Sequence, residues 1–240
     1  MNPSIQPIPL LNLVFAFIPA LIVVAIMLRW SLQGWHAMYA MARMVLQLLL
    51  IGFFLAYIFT TEFPIVVLLI IAVMLVISSW IALSPLKNKE GRMYLKVVAS
   101  IAIGCVSTLL LVIFVVLRLE PWFFPRYVIP LAGMLFANAM NAVSLAAERL
   151  EHERSIGRSP DLAQRHAFRA ALIPQINTML AVGLVSLPGM MTGQILSGVS
   201  PLIAVRYQLM ILSMIFGSSG IAAACYLVLA KQPPISESPK

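Results

Sequence analysis

Charged residues are scarce in this sequence. Asp, Glu, Lys and Arg make up 10% of the 240 residues, hydrophobic residues make up 62%, and the mean hydropathy is +1.00. A globular domain in water carries roughly 25% charged residues, so this composition excludes that class. Cysteine is also scarce. The two present, Cys105 and Cys225, lie inside apolar segments, which argues against a disulfide framework.

Ionisable side chains are absent from the middle of the apolar segments. All eight acidic residues fall outside these segments, and no Lys, Arg or His lies deep within one. A charge at the bilayer centre costs roughly 2.5–3.5 kcal/mol, so proteins keep one there only for a task. This absence disfavours proton-coupled carriers, voltage sensors and retinal proteins. No HExxH motif or intramembrane catalytic cluster is present either.

The sequence also lacks the GxxxxGK[ST] motif, so the chain cannot bind ATP through a P-loop. If this protein moves a solute against a gradient, the energy must come from elsewhere, because the apolar segments offer no ionisable relay. A separate ATPase would supply that energy. Passive channels and Na⁺ carriers that use backbone carbonyls stay open as alternatives.

Seven apolar segments are present, and runs of about 20 apolar residues fit a hydrocarbon core of about 30 Å. They predict an all-α, polytopic membrane protein with a single transmembrane domain over residues 1–240. The segments are approximately residues 8–28, 44–59, 65–83, 97–117, 128–147, 179–196 and 207–229.

Positive charge falls mostly on one side of these segments. Thirteen of the 16 Lys and Arg residues lie in alternate connections and in the C-terminal tail, and the other side holds Arg118, Arg126 and Arg206. Cytoplasmic connections of membrane proteins carry the excess of Lys and Arg. We therefore expect the N-terminus outside and the C-terminus in the cytoplasm.

The longest connection, at about residues 148–178, is then predicted to be cytoplasmic. Gly157 should end a first helical run within it. A second helix should follow, because Ser159 is a suitable N-cap, Pro160 fits the first helical position and Asp161 complements the helix dipole.

This second helix is predicted to extend to about Ile173 and to stop at Pro174. Asp161, Arg165 and Arg169 are spaced four residues apart and share one face, so a short amphipathic helix should lie at the inner membrane surface. One interpretation is a solvated loop that only fixes the topology. The other is a coupling element that docks into a groove on a partner ATPase and passes its motion to the membrane.

The sixth segment carries helix-breaking residues near its middle. Pro188 and Gly189 should interrupt a helix, and the freed backbone groups would be costly in lipid, so this segment should face the protein interior. Gly189 and Gly193 form a small-residue ridge that allows close helix packing. The kink either only packs or lines the solute pathway as a hinge. Met190 and Met191 admit soft-metal binding, although apolar packing also explains them.

A second polar stripe runs along the fifth segment. Asn138, Asn141 and Ser144 recur at intervals of three residues, so neighbouring members share a face of the helix. These side chains can form hydrogen bonds between helices. Alternatively, they offer oxygen atoms to a permeating cation or polar solute.

Three stretches carry a resemblance to known proteins. They are residues 134–150 (MLFANAMNAVSLAAERL), 168–177 (FRAALIPQIN) and 182–211 (VGLVSLPGMMTGQILSGVSPLIAVRYQLMI). The sequence resembles the permease family that includes the membrane subunit of a bacterial iron exporter and the ABC membrane proteins of plant aluminium tolerance. The resemblance is strong over about residues 130–229 and covers the earlier segments only in topology.

The resemblance implies the permease subunit of an ABC transporter in the bacterial inner membrane, not an enzyme. It implies a homodimer with two ATP-binding subunits, which would hold ATP and Mg²⁺, while this chain would hold no cofactor. The expected cargo is iron, another metal ion or a small polar solute. Other classes stay open: a membrane scaffold or sensor whose inner loop binds a regulator, and a passive channel.

Overall fold

The computed structural model describes residues 8–60, 63–84, 86 and 91–230. Over these residues the chain forms nine α-helices and no β-sheet. The helices are α1 Leu10–Phe15, α2 Ile18–Arg29, α3 Gly34–Ile58, α4 Pro64–Ala82, α5 Gly91–Leu111, α6 Pro125–Ser155, α7 Pro160–Ala181, α8 Gly189–Leu196 and α9 Pro201–Leu229. A wider π-helical turn, Val112–Val116, continues α5. The predicted all-α class is confirmed.

Proline sets the start of several of these helices. Proline is the first residue of α4, α6, α7 and α9. Its missing N–H costs nothing there, because the first N–H groups of a helix have no partner within the helix, and its fixed φ suits the first position. The sequence interpretation used this signal only for Pro160, where it is confirmed.

Six candidate membrane spans occur among the described residues, and each is long and apolar enough to cross a bilayer. They are formed by α1 with α2, by α3, by α4, by α5 with its π-helical turn, by α6 and by α9. The second predicted segment, residues 44–59, is the end of the longer helix α3. These spans confirm a multi-pass α-helical membrane protein.

The predicted sixth span, residues 179–196, is not one helix, and this is a correction. The chain leaves α7 at Ala181, turns through residues 182–188 and re-enters a helix only at Gly189. The eight residues of α8 extend for about 12 Å, which is too short to cross a core of about 30 Å. Six helical spans and one broken segment therefore replace the seven predicted spans.

The prediction that α7 stops at Pro174 is also wrong. Pro174 lies inside α7, which continues for another two turns to Ala181. Proline removes the hydrogen bond to the carbonyl of residue 170, but packing compensates. Ala163, Ala167 and Ala171 are buried in a stripe along α7, and the helix packs against both α6 and α9. Helices in proteins are held mainly by such packing.

The described residues form two compact units. The first contains the described residues up to 60 together with residues 196–198, and in it α2 packs against α3. The second contains the other described residues, and in it α4, α5, α6, α7 and α9 pack together. The functional residues discussed below lie in the second unit. A single domain over residues 1–240 stays a prediction.

Helices α5 and α9 of the second unit approach each other closely at Gly104. A Cβ atom on Gly104 would lie 2.6 Å from the Ser218 carbonyl oxygen and 2.8 Å from the Ala222 nitrogen. Only glycine permits two backbones to approach this closely. By contrast, a Cβ on Gly189 or Gly193 would meet nothing within 4 Å. The predicted ridge on α8 therefore forms no close packing within the described chain.

The predicted orientation depends partly on residues outside those described. Lys87, Lys89, Lys231 and Lys240 are among them. The orientation of the chain in the membrane thus stays a prediction, and the words cytoplasmic and outer are used below in that sense.

Candidate functional site

The end of α6 is shaped by Gly157, which adopts a left-handed conformation with φ +75°. The Gly157 N–H donates to the Arg154 carbonyl at 3.0 Å, and the Arg158 N–H donates to the Glu153 carbonyl at 3.1 Å. These two bonds form a Schellman motif, which satisfies carbonyls at the helix end and favours glycine at this position. The predicted break at Gly157 is confirmed, and it returns the chain toward α7.

Glu153 lies in the last turn of α6 and is buried, with only 1% of its surface exposed. Its Oε1 is 2.5 Å from Arg149 Nη2 and 3.1 Å from His166 Nδ1, and its Oε2 is 3.6 Å from Arg158 Nε. This charged cluster joins the end of α6 to the connection and to α7. Because α6 has 31 residues and extends for about 46 Å, its charged end projects beyond a core of about 30 Å.

The sequence interpretation gave no role to Glu153. Among the acidic residues of this connection, only Asp161 was given a role. The available signal was the Arg149–Glu153 spacing of four residues, which places the two side chains on one face of a helix. The contact with His166 depends on how α7 packs and leaves no sequence signal.

Two further hydrogen bonds attach this region to the end of α9. Arg154 Nη2 donates to the Ala230 carbonyl at 2.7 Å, and Gln164 Nε2 donates to the Leu227 carbonyl at 2.9 Å. The last carbonyls of a helix lack partners within the helix, so these side chains cap α9. The start of α7 is thereby held against the C-terminal end of α9.

The predicted coupling residues occupy the exposed face of α7. Asp161, Arg165 and Arg169 are exposed, opposite the buried alanine stripe. Ser159 is the N-cap residue, as predicted, but its hydroxyl forms no capping hydrogen bond with the described chain. The helix does not simply lie on the inner surface, because it packs between α6 and α9. The side chains of Arg165 and Arg169 on this face nevertheless stay exposed.

A small cavity, here called the central cavity, lies between α6, α7 and α9. Its volume is about 90 Å³, and its polar wall is formed by Asn138, Gln175 and Thr178, with Pro174 beside them. Gln175 is 6% exposed, and its Oε1 has no hydrogen-bond partner among the described residues. Such a buried acceptor costs roughly 1–3 kcal/mol when it is left unpaired. The central cavity therefore presents an unused oxygen near mid-helix.

Of the predicted polar stripe along α6, only one residue lines the central cavity. Asn138 lines it, and its Nδ2 donates to the Met134 carbonyl of the same helix at 2.8 Å. Asn141 is exposed, and Ser144 is half-buried and outside the cavity wall. The amide nitrogen of Asn138 thus bonds within its own helix. Gln175 was missed because the predicted helix stopped at Pro174.

A second cavity, here called the outer cavity, lies between the starts of α6 and α9 and helix α8. Its volume is about 320 Å³. Its described polar wall consists of Arg126, Tyr127, Gln194 and Tyr207. Three thioethers complete it: Met134, Met190 and Met210.

The two cavities follow one face of α6. Met134 belongs to the wall of the outer cavity, and Asn138, one turn further, belongs to that of the central cavity. On α9, Met210 likewise belongs to the wall of the outer cavity and Leu212 to that of the central cavity. The groove between α6 and α9 therefore carries two chambers: the central cavity, whose wall includes residues of α7, and the outer cavity, whose wall includes residues of α8.

The segment between α7 and α8 is a tight turn, not a kinked helix. The Gly183 N–H donates to the Ser186 carbonyl at 2.9 Å, and the Val185 N–H donates to the Ala181 carbonyl at 2.8 Å. Pro188 precedes α8, and its carbonyl accepts the Thr192 N–H at 3.0 Å. The predicted interruption is present, but it is a turn over residues 182–188 that ends directly before α8, and not a kink at Pro188 within one helix.

This turn also faces outward within the chain. Leu184 is 91% exposed and Val185 83% exposed, and α8 has no fully buried residue. The expected burial in the protein interior is therefore not found in the second unit. Of the two predicted methionines, Met190 lines the outer cavity, and Met191 does not.

The fold and the grooved site define a polytopic α-helical membrane protein with a charged helix at one end of its chambers. The chain belongs to the family described as uncharacterised protein family UPF0014, whose model matches residues 10–233. This membership confirms the resemblance drawn from residues 134–150, 168–177 and 182–211. No solved structure is significantly similar to the chain.

Several curated proteins are similar over most of their length. A UPF0014 membrane protein of Synechocystis is 39% identical, over 79% of this chain and 80% of that protein. The probable iron export permease protein FetB of Escherichia coli is 32% identical, over 81% of this chain and 80% of its own. The protein Aluminum Sensitive 3 of Arabidopsis thaliana is 32% identical, over 80% and 74%.

Proposed function

We propose that this chain is the permease subunit of an ATP-driven exporter in the bacterial inner membrane. Two copies would assemble with two ATP-binding partner subunits, which would hold ATP and Mg²⁺. The cargo would be iron, another metal ion or a small polar solute. The similarity to a probable iron export permease supports this assignment, as does the lack of an ionisable relay in the spans.

One structural observation carries the proposal. Helix α7 runs without interruption from the exposed charged face at Asp161 to the wall of the central cavity at Pro174 and Gln175. Its 22 residues extend for about 33 Å. A push at the cytoplasmic end of such a helix would reach the chamber directly. A solvated loop that only fixed topology would not require this continuity.

The contacts around α7 indicate how motion would pass. Docking of an ATPase on Arg165 and Arg169 would shift the start of α7, which the Glu153 cluster joins to α6. The shift would then change the central cavity at Gln175 and Asn138. Beyond Ala181, the turn at residues 182–188 would let α8 move separately, so it would open or close the outer cavity. This arrangement fits alternating access, in which one site faces each side in turn.

The test is to reverse the charge of the coupling face. Arg165→Glu together with Arg169→Glu should lower co-purification of the ATPase and ATP-dependent export in proteoliposomes by about tenfold or more, because each charge now repels its former partner. Arg92→Glu, on an exposed residue of another cytoplasmic end, is the matched control and should leave both unchanged.

Three outcomes would contradict the proposal. Export and ATPase binding that survive the double reversal would leave α7 without a coupling role. Solute flux of equal size with and without ATP would instead indicate a passive channel. No ATPase partner and no flux at all would favour a scaffold or sensor.

A further inference from the structure

The outer cavity has the dimensions of a binding site for a small organic molecule. Its volume of about 320 Å³ falls at the lower end of the range for ligand pockets, about 300–1,000 Å³. Its wall is mostly apolar with a few polar groups, which is the usual composition of such sites. The question is what chemistry those polar groups would recognise.

The charge on this wall is positive. Arg126 lines the cavity, and no described residue forms an ion pair with it. None of the described lining residues is acidic. A guanidinium presents a planar fork of donors that matches the oxygens of a carboxylate or phosphate. The cavity is therefore suited to an oxygen anion.

A second group indicates a hydroxyl on the same ligand. Gln194 lines the cavity, and its buried Oε1 has no hydrogen-bond partner among the described residues. A buried acceptor is costly when it stays unpaired, so a donor is expected to reach it. A ligand hydroxyl would supply that donor while the anionic group faces Arg126.

The three thioethers on this wall suggest a different occupant. Met134, Met190 and Met210 would suit a soft cation such as Cu(I). However, Arg126 lies on the same wall and would repel a bare cation. The described residues also offer no cluster of three or more His, Cys, Asp or Glu side chains for a metal ion. Apolar contact with the carbon skeleton of a ligand explains the methionines equally well.

We propose that the outer cavity binds a small hydroxylated oxygen anion of the hydroxycarboxylate class, free or as the chelate of a metal ion. The ligand would contact Arg126 through its carboxylate and Gln194 through its hydroxyl. This deepens the proposed function, on which the role of the cavity as an exit chamber rests. A transported metal would then leave the protein as an anionic complex and not as a bare ion.

The experiment measures binding to the purified chain without any ATPase. The chain is placed in phosphatidylcholine nanodiscs, and radiolabelled citrate is titrated with and without Fe³⁺. Tricarballylate, which is citrate without the hydroxyl, is the matched ligand. Arg126→Gln should weaken citrate binding by about tenfold or more, as expected for the loss of a charge-assisted bond, and Arg126→Lys should restore part of it. Arg206→Gln, also on the outer side but not on this wall, should have no effect.

The second substitution tests the hydroxyl. In the unmodified chain citrate should bind more tightly than tricarballylate, and Gln194→Leu should remove this difference. Inorganic phosphate and phosphatidylglycerol nanodiscs are further arms. Retention of phosphatidylglycerol that depends on Arg126, with no citrate binding, would assign the cavity to a lipid phosphate and overturn the proposal.

Other results would also overturn it. These are equal loss of citrate binding in Arg206→Gln, no citrate binding at any concentration tested, or Ag⁺ binding that citrate does not displace. Because these measurements use no nucleotide, they separate the two proposals. If citrate binding depends on Arg126 but the chain never engages an ATPase, the proposed binding site would be supported and the proposed exporter function would be contradicted.

Discussion

At the scale of single residues, burial gives Glu153 a structural role that its exposed acidic neighbours lack. Its carboxylate forms ion pairs with Arg149 and Arg158 and lies close to His166, all at the junction of α6 and α7. Removing the carboxylate charge would leave these cations facing one another around a buried amide. Apart from its spacing of four residues from Arg149, nothing in the sequence separated Glu153 from Glu148 or Glu151, because burial is decided by how α7 folds back.

The prediction for this residue is a loss of both stability and coupling. Glu153→Gln should lower the melting temperature by several degrees and uncouple ATP hydrolysis from export, since α7 would no longer be held to α6. Thermal unfolding in detergent and ATPase activity of the assembled complex are the measurements. Glu148→Gln, on an exposed neighbour, is the control. Equal effects of both variants would show that Glu153 has no particular role in holding α7 to α6.

At the scale of elements, the positions of two prolines relative to the helix ends were predicted incorrectly. Pro174 was expected to end a helix and lies within one, and Pro188 was expected to kink a helix and precedes one. The local effect of proline is the same at both places. What differs is the neighbourhood: α7 buries an alanine stripe that stabilises it through Pro174, while residues 182–188 bury little. Sequence gives the local cost and not the compensating contacts.

The small-residue packing was likewise predicted on the wrong element. It occurs between α5 and α9 at Gly104, where an added side chain would collide with the backbone of α9. Gly104→Val should therefore destabilise the fold by about 1–3 kcal/mol or more, as overpacking does. Gly217→Val is the control on α9, because a Cβ there meets nothing within 4 Å. Denaturation in mixed micelles compares the two, and equal loss would argue against the close approach.

At the scale of the whole molecule, composition was enough to predict a polytopic α-helical membrane protein, because few folds satisfy every backbone group in lipid. The positions of the spans followed from hydropathy, apart from the sixth. The chambers could not be predicted, since they depend on which side chains α6, α7, α8 and α9 bring together. Asn138 and Met190 were singled out beforehand, whereas Gln175 and Gln194 were recognised only from their unpaired oxygens.

The orientation of the chain in the membrane is also a property of the whole molecule. It can be tested at the broken segment formed by α7, the turn and α8. Six helical spans alone would place both termini on one side, so the predicted opposite sides require that α7, the turn and α8 together cross the membrane. Helix α7 follows α9 away from Leu227, and α8 reaches the outer cavity near Tyr207, which supports such a crossing. Ser159 and Ser200 flank this segment and are both exposed.

Cysteine labelling would decide the point. In a chain whose Cys105 and Cys225 are replaced by alanine, Ser200→Cys should react with an impermeant maleimide in intact spheroplasts, and Ser159→Cys should react only after permeabilisation. The reverse pattern would invert the orientation and place the Arg165 face outside, where no ATPase could reach it. Reaction of both from one side would mean that the segment enters and leaves on the same side, so α7 could not carry motion between a cytoplasmic partner and an outward chamber.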